Sequence, residues 1–121
     1  MAKILIVDDS ETHLYSLSQI VEGEGHEVVK AASGEEGVEA AIEHLPDLIL
    51  MDVVMPDLNG FQATRKISKN ASTANIPVIF VTTKDQETDR IWGMRQGASA
   101  YLTKPIDKKT LIKAINDALG A

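Results

Sequence analysis

Short apolar runs, separated by longer mixed segments, set the pattern of this chain. The most continuous runs lack the apolar-polar alternation of a half-exposed antiparallel strand. They are therefore typical of strands that are covered on both faces. Five runs predict strands, and at least three of them are continuous in this way; they lie at residues 4–7, 28–29, 48–51, 76–81 and, more weakly, 100–102.

Helical patterns fill the segments between the runs, because apolar residues recur there at spacings of three and four. Ser33 and Glu36 have the spacing of a capping box that begins the second helix, and Asp107 is placed to cap the last. Five stripes predict buried helix faces: Leu14, Leu17 and Val21; Val38, Ala41, Ile42 and Leu45; Phe61, Thr64 and Ile67; Ile91, Met94 and Ala98; Leu111, Ile115 and Ala118.

Strands that alternate with helices in this way predict repeated βα units and a parallel sheet. The expected fold class is α/β, a flavodoxin-like, doubly wound sheet of five strands in the order 2-1-3-4-5 with five helices. The length of 121 residues is that of one domain. We therefore expect residues 1–121 to form a single domain, with any output domain on another protein.

Composition and charge narrow the function classes. The absence of cysteine excludes disulfides and thiolate chemistry and makes the cytoplasm the default location. No apolar run approaches the roughly 18 residues of a membrane span. The net charge of −6 argues against direct nucleic-acid binding, which needs clustered bases. Residues 1–60 hold 13 acids and 2 bases, whereas residues 61–121 hold 5 acids and 10 bases.

Polar residues follow four of the five predicted strands. In the order 2-1-3-4-5 these four strands are contiguous, and parallel strands end at the same edge of a sheet, where ligands bind. Asp9 and Asp52 are then near neighbours. The four polar ends are Asp8-Asp9, Asp52, Thr82-Thr83 and Thr103-Lys104-Pro105.

Three carboxylates at one edge repel one another unless a cation joins them, and an all-oxygen set suits Mg²⁺. Beside such a cation Asp52 is the candidate nucleophile for an acyl phosphate. Lys104 and Thr82 are placed to contact the phosphoryl oxygens. The alternative is structural: Asp8 and Asp9 would merely cap the helix that begins near residue 11, and Asp52 would open a turn.

Four segments together resemble the receiver domain of two-component response regulators over essentially the whole chain. They are residues 7–10 (Val-Asp-Asp-Ser), 51–60 (Met-Asp-Val-Val-Met-Pro-Asp-Leu-Asn-Gly), 81–83 (Val-Thr-Thr) and 101–105 (Tyr-Leu-Thr-Lys-Pro). The resemblance implies that Asp52 accepts a phosphoryl group from a CheA-like sensor histidine kinase. It also implies that the protein is a signalling protein and not an enzyme with its own turnover.

The resemblance implies a role for each remaining site residue. Asp9 and Asp52 would bind Mg²⁺ directly, Asp8 through water, and the Val54 carbonyl would add a ligand. Lys104 would hold the phosphoryl group and precede a cis peptide bond to Pro105, and Thr82 and Tyr101 would form a switch pair. A downstream protein would then bind the face of the fourth helix, fifth strand and fifth helix.

The chain resembles a stand-alone receiver of the chemotaxis-regulator kind. More narrowly, segments 59–65 and 83–89, with Trp92-Gly93, are similar to receivers of type IV pilus twitching-motility systems. Whether the receiver carries a signal or drains phosphate from a shared kinase stays open. Trp92 is either an exposed anchor for a partner or a cover over a loop. His13, His26 and His44 have no metal-ligand spacing and are interpreted as surface or edge residues.

Two other functions are possible for a chain of this kind, one with a similar Asp and Mg²⁺ chemistry and one with the same topology. A small phosphohydrolase of the haloacid-dehalogenase kind also uses a strand-end Asp and Mg²⁺, but it expects Asp-x-Asp after the first strand, where Asp8 and Asp9 are adjacent. A flavin carrier shares the topology, but the acidic loop after the first strand disfavours a flavin phosphate.

Overall fold

The sheet and its helices follow the predicted βα alternation in the computed structural model, which describes residues 1–120. All neighbouring strands pair in parallel, in the order β2-β1-β3-β4-β5, so the predicted fold class, strand order and numbers of elements are confirmed. The elements are β1 (Lys3–Val7), α1 (Glu11–Gly23), β2 (Glu27–Ala31), α2 (Gly34–His44), β3 (Leu48–Met51), α3 (Gly60–Lys69), β4 (Val78–Thr82), α4 (Glu87–Arg95), β5 (Ala100–Thr103) and α5 (Lys108–Ala118).

Strand register brings the polar strand ends together. Val7, the last residue of β1, pairs with Met51, the last residue of β3. Thr82, the last residue of β4, pairs with Thr103 at the end of β5. The residues that follow these strands therefore leave the sheet side by side at its carboxyl edge.

Two apolar layers cover the sheet, because successive strand residues point to opposite faces. On one face Leu5, Ile49 and Phe80 pack with residues of α2 and α3. On the other face Ile4 and Leu50 belong to a second cluster, which includes residues of α1 and α5. Strands buried on both faces explain the continuous apolar runs.

The predicted buried stripes of α1, α3 and α5 are confirmed at Leu17, Ile67 and Leu111, among others. The predicted caps hold as well. The Ser33 hydroxyl accepts a hydrogen bond from the Glu36 N–H, and the Asp107 carboxylate accepts one from the Thr110 N–H. Within residues 1–120, no helix combines the length and apolar character that crossing a bilayer requires.

The predicted stripe of α2 is wrong at two positions. Ile42 and Leu45 are exposed, by 42% and 54%, whereas Gly34, Gly37 and Ala41 form the buried face. A Cβ at Gly37 would lie 2.9 Å from both methyl carbons of Val7. The helix packs so close to β1 that only a face of small residues fits against the strand.

The predicted stripe of α4 is wrong in a similar way. Ile91 and Met94 are each 45% exposed, and Gly93 is the buried residue of the helix. Ala98, the third member of the stripe, is buried beyond the helix end. The side chain that faces α4 is Tyr101 of β5, whose ring occupies the space beside Gly93.

Candidate functional site

Three carboxylates meet at the carboxyl edge of the sheet. Asp8 and Asp9 directly follow β1, and Asp52 directly follows β3. One oxygen from each residue lies within 4.8 Å of the others. Asp8 and Asp52 are buried, whereas Asp9 is exposed. The expected cluster of strand-end acids is therefore present, with one member facing solvent.

The two oxygens of Asp52 have different surroundings. Oδ1 accepts hydrogen bonds from the backbone N–H groups of Val53, at 2.8 Å, and Val54, at 3.4 Å. Oδ2 lies 3.5 Å from the Lys104 Nζ. The backbone bonds hold the carboxylate in one orientation, so Oδ2 is the oxygen presented to Lys104 and open to a new bond.

Asp52 is hard to ionise in this setting. Burial raises its pKa above the ordinary value, and the neighbouring charge of Asp8 raises it further. The positive charge of Lys104 and hydrogen bonds from Thr82 and the Val53 backbone act in the opposite direction. The net direction of the pKa is upward, so burial beside Asp8 disfavours the ionised form of Asp52.

Lys104 joins both buried acids. Its Nζ donates a hydrogen bond of 2.7 Å to the Asp8 Oδ2, and its side chain is only 8% exposed. The sequence predicted the approach to Asp52 but not the shorter contact with Asp8. The peptide bond between Lys104 and Pro105 is cis, as the resemblance implies.

His13 is a residue of this site that the sequence analysis missed. Its Nδ1 lies 2.7 Å from the Lys104 Nζ and 3.7 Å from the Asp8 Oδ2. The interpretation of His13 as a surface residue is thus incomplete, although its side chain is 42% exposed. Because 91 residues separate His13 from Lys104, no local spacing in the chain indicates the contact.

The alternative in which the two N-terminal acids serve as helix caps is wrong. The residue that caps α1 is Ser10, whose hydroxyl accepts a hydrogen bond from the His13 N–H. Asp8 instead accepts a hydrogen bond from the Ser10 N–H with one oxygen, while its other oxygen binds Lys104. One oxygen of Asp8 therefore holds the loop after β1, and the other binds Lys104 in the site.

Thr82 and Tyr101 are connected through one residue, Lys84. The Thr82 Oγ1 accepts a hydrogen bond of 3.2 Å from the Lys84 N–H. The Tyr101 hydroxyl donates one of 2.9 Å to the Lys84 carbonyl. The hypothesis that goes with this switch pair is that Thr82 swings toward the phosphoryl group and the Tyr101 ring turns into the vacated space. Here both side chains are buried, and the ring already lies inward. The link through Lys84 was not predicted, because it runs through backbone atoms.

The set of donors fits a hard divalent cation. Three carboxylates face a single ammonium group, which leaves excess negative charge and free oxygen lone pairs at the cluster. Val54, the expected source of a carbonyl ligand, lies two residues beyond Asp52 in the loop after β3, and its side chain is 49% exposed.

Comparisons with known proteins agree with this arrangement. Residues 4–116 match the family described as the response regulator receiver domain. The chain is 60% identical to the protein PilH of Pseudomonas aeruginosa over 120 residues, covering 99% of each chain. The chemotaxis protein CheY4 of Vibrio cholerae aligns with a TM-score of 0.91 at 31% identity, covering 98% of each chain.

One solved structure bears on the metal. It is the receiver domain of a Pseudomonas aeruginosa sensor histidine kinase, described with a magnesium ion coordinated in its active-site cleft. The TM-score is 0.91 at 28% identity, and the alignment covers 99% of this chain and 98% of the other.

Proposed function

Because the chain belongs to the response regulator receiver family of two-component signalling, we propose that Asp52 accepts a phosphoryl group from the phosphohistidine of a sensor histidine kinase. The observation that carries this proposal is the surroundings of Asp52. It is a buried carboxylate with one oxygen held by the backbone and the other beside Lys104, within the acidic cluster.

The transfer follows from these contacts. The Asp52 Oδ2 attacks phosphorus, the bond from phosphorus to the imidazole nitrogen breaks, and its electron pair returns to the ring, leaving an acyl phosphate. Asp8, Asp9 and Asp52 would hold Mg²⁺, with the Val54 carbonyl as a further ligand, and the ion would neutralise the phosphoryl oxygens. Lys104 moves from its carboxylate contacts to a phosphoryl oxygen.

The phosphoryl group then acts on the switch pair. It brings about two negative charges and three strong acceptor oxygens beside the buried Thr82 hydroxyl. When that hydroxyl bonds to the phosphoryl group, it favours one arrangement of the Lys84 backbone, to which the Tyr101 hydroxyl is bonded. Phosphorylation thereby changes the stability of the inward ring and of the adjacent helix α4.

The signal leaves through a protein bound at α4, β5 and α5. Three apolar side chains of α4, those of Ile91, Trp92 and Met94, are each 45% exposed. An apolar patch of this kind is typical of a protein-binding surface, and Trp is enriched in such surfaces. Between the two readings of Trp92, this exposure favours the anchor for a partner.

Twitching-motility control is the pathway that we propose. The 60% identity to PilH over 99% of both chains supports it, and it also supports the action of residues 1–121 as one receiver unit. Within this proposal the protein works in the cytoplasm beside its kinase and performs no turnover beyond its own phosphorylation and dephosphorylation.

Incubation with a small acyl-phosphate donor, followed by intact mass spectrometry, tests this function. We expect one added phosphoryl group in the presence of Mg²⁺. The addition should be lost when Mg²⁺ is chelated and in the Asp52→Ala variant.

Asp57→Asn is the matched control, because Asp57 is an exposed acid five residues away in the same loop, and Asn tolerates its backbone φ of 66° where Ala would be strained. It should accept the phosphoryl group as the parent protein does. Phosphorylation of the Asp52→Ala variant to the parent level would show that another residue is the acceptor.

A further inference from the structure

The ring of Tyr101 sits in a slot that α4 leaves open at Gly93. A Cβ built at Gly93 would lie 2.6 Å from Cδ2 and 2.8 Å from Cε2 of the Tyr101 ring. Side chains do not approach this closely, so with α4 in its observed position a substituent at position 93 and the observed ring position exclude each other. The glycine is therefore required by the ring and not by the backbone, since it lies within a regular helix.

The ring cannot avoid a side chain at position 93 by moving deeper into the core. Its inner neighbour is Phe80, which is fully buried, with ring centroids 6.0 Å apart. Phe80 in turn packs edge to face on Phe61 at 5.2 Å. Because this aromatic row is already close-packed, the space that remains for a displaced Tyr101 ring is on the solvent side.

The inward position of the ring is also held by polar contacts. The hydroxyl donates to the Lys84 carbonyl at 2.9 Å, and the Arg90 guanidinium lies 5.6 Å from the ring centroid. The same Arg90 donates a hydrogen bond to the Tyr101 carbonyl. The ring is thus enclosed between Gly93 and Arg90, one turn apart on α4.

We propose that Gly93 is a positioning residue for the Tyr101 switch, whose missing side chain provides the inward position of the ring. This inference rests on the proposed function, because it concerns the switch that phosphorylation of Asp52 would bias. Any side chain at position 93 drives the ring outward and separates the hydroxyl from Lys84. Phosphorylation of such a variant would proceed at Asp52 without moving the ring inward.

Fluorine NMR of protein labelled with 3-fluorotyrosine tests the inference directly. The chain contains two tyrosines, of which Tyr15 is 64% exposed and Tyr101 is 3% exposed. Tyr15→Phe assigns the two signals. In the Gly93→Ala variant we expect the buried Tyr101 population to fall at least about fivefold, since overpacking a core contact carries a cost of that size.

Exposure of each ring is measured by the change in its fluorine chemical shift between H₂O and D₂O. In Gly93→Ala this change should be as large for Tyr101 as for the exposed Tyr15. The pKa of Tyr101 gives an independent readout. Burial, followed by the charge of Asp89, raises the pKa of Tyr101 to about 12. An outward ring loses most of that burial, so in Gly93→Ala this pKa should move down toward the ordinary value for tyrosine.

Gly23→Ala is the matched control. Gly23 also lies in a helix, and a Cβ there would have nothing within 4 Å. Its fluorine spectrum should equal that of the parent protein. A buried Tyr101 signal and an unchanged pKa in Gly93→Ala would overturn the inference, because α4 would then have moved in place of the ring.

A double variant keeps the test decisive if Gly93→Ala does not fold. Gly93→Ala combined with Tyr101→Ala removes the ring and should fold with the urea midpoint of Tyr101→Ala alone or higher. A double variant that is unfolded while Tyr101→Ala is folded would overturn the inference.

The phosphorylation assay keeps this inference separate from the proposed function. The ring populations are measured without phosphate, whereas the acceptor role of Asp52 is measured by mass. If the ring is displaced in Gly93→Ala but the parent protein takes up no phosphoryl group, the inference about Gly93 is confirmed and the proposed function is refuted. If the parent protein is phosphorylated on Asp52 but the ring stays inward in Gly93→Ala, the proposed function is confirmed and the inference about Gly93 is refuted.

Discussion

Helices α3 and α4 follow the adjacent strands β3 and β4, yet they are attached to the molecule differently. Half of the ten residues of α3 are buried, whereas Gly93 is the one buried residue of the nine in α4. At the start of α3, Asn59 and Gln62 exchange two hydrogen bonds of 2.9 Å in a capping box. At the start of α4, Asp89 accepts a longer bond, of 3.3 Å, from the Gln86 N–H.

This difference separates a part of the site that is held still from a part that can move. Gly60, the first residue of α3, packs directly on the carbonyl of Asp52, so α3 fixes the loop that carries Asp52. Helix α4 is connected to the site through Tyr101 and the Lys84 backbone. Segments with few buried contacts open at low free energy, and a signalling switch needs such a segment.

The largest expected effect comes from truncating the same residue type on each helix. Ile67 of α3 is 1% exposed and Ile91 of α4 is 45% exposed. We expect Ile67→Ala to lower the free energy of unfolding by about 2–5 kcal/mol, because it leaves a cavity. We expect Ile91→Ala to change it by less than about 0.5 kcal/mol. Urea denaturation measures both. Equal losses would mean that α4 is packed as firmly as α3.

A smaller effect is expected where α3 meets Asp52, the proposed phosphoacceptor. A Cβ at Gly60 would collide with the Asp52 backbone carbonyl, which cannot move aside as a side chain can. Gly60→Ala should therefore lower the free energy of unfolding by about 1–3 kcal/mol. It should also slow phosphorylation of Asp52 by the acyl-phosphate donor. Stability and phosphorylation equal to those of the Gly23→Ala control would show that α3 does not hold the loop in place.

The smallest effect concerns the charge of Asp52, whose loop is held by α3. Burial and the charge of Asp8 raise the pKa of Asp52, so folding favours its protonated form. The stabilisation that Asp52 contributes to the folded protein is therefore present at low pH, and it is lost as the pH rises through the pKa that Asp52 has in the folded protein. When a chelator removes divalent cations, the Asp52→Asn variant should have a higher urea midpoint than the parent protein at pH 7, because the substitution removes a buried charge. The difference should shrink as the pH falls toward 4.

A midpoint for Asp52→Asn that lies below that of the parent at pH 7 would contradict this assignment. It would mean that the ion pair with Lys104 stabilises the folded protein by more than the burial of Asp52 costs. Addition of Mg²⁺ should raise the midpoint of the parent more than that of the variant, since Asp52 is one of the proposed ligands.

Much of the fold could be predicted because its signals are local. A strand buried on both faces has to be apolar along its length, and the runs at 4–7 and 48–51 coincide with β1 and β3 apart from one residue. The meeting of Asp8, Asp9 and Asp52 also followed from the sequence, because parallel strands end at one edge. In the order 2-1-3-4-5, in which β1 and β3 are neighbours, the acids that follow these two strands come together.

The sequence by itself determined the fold class and the polar residues that end the strands, since both depend on residue type and on position along the chain. The strand order expected for that class then predicts the acidic edge. Tertiary structure alone decided which face of α4 is buried, the contact of His13 with Lys104, and the Lys84 link between Thr82 and Tyr101. Apolar periodicity assumes that a helix buries its largest side chains. Where a neighbouring ring fills the space, as Tyr101 does, the residue that faces inward is the one without a side chain.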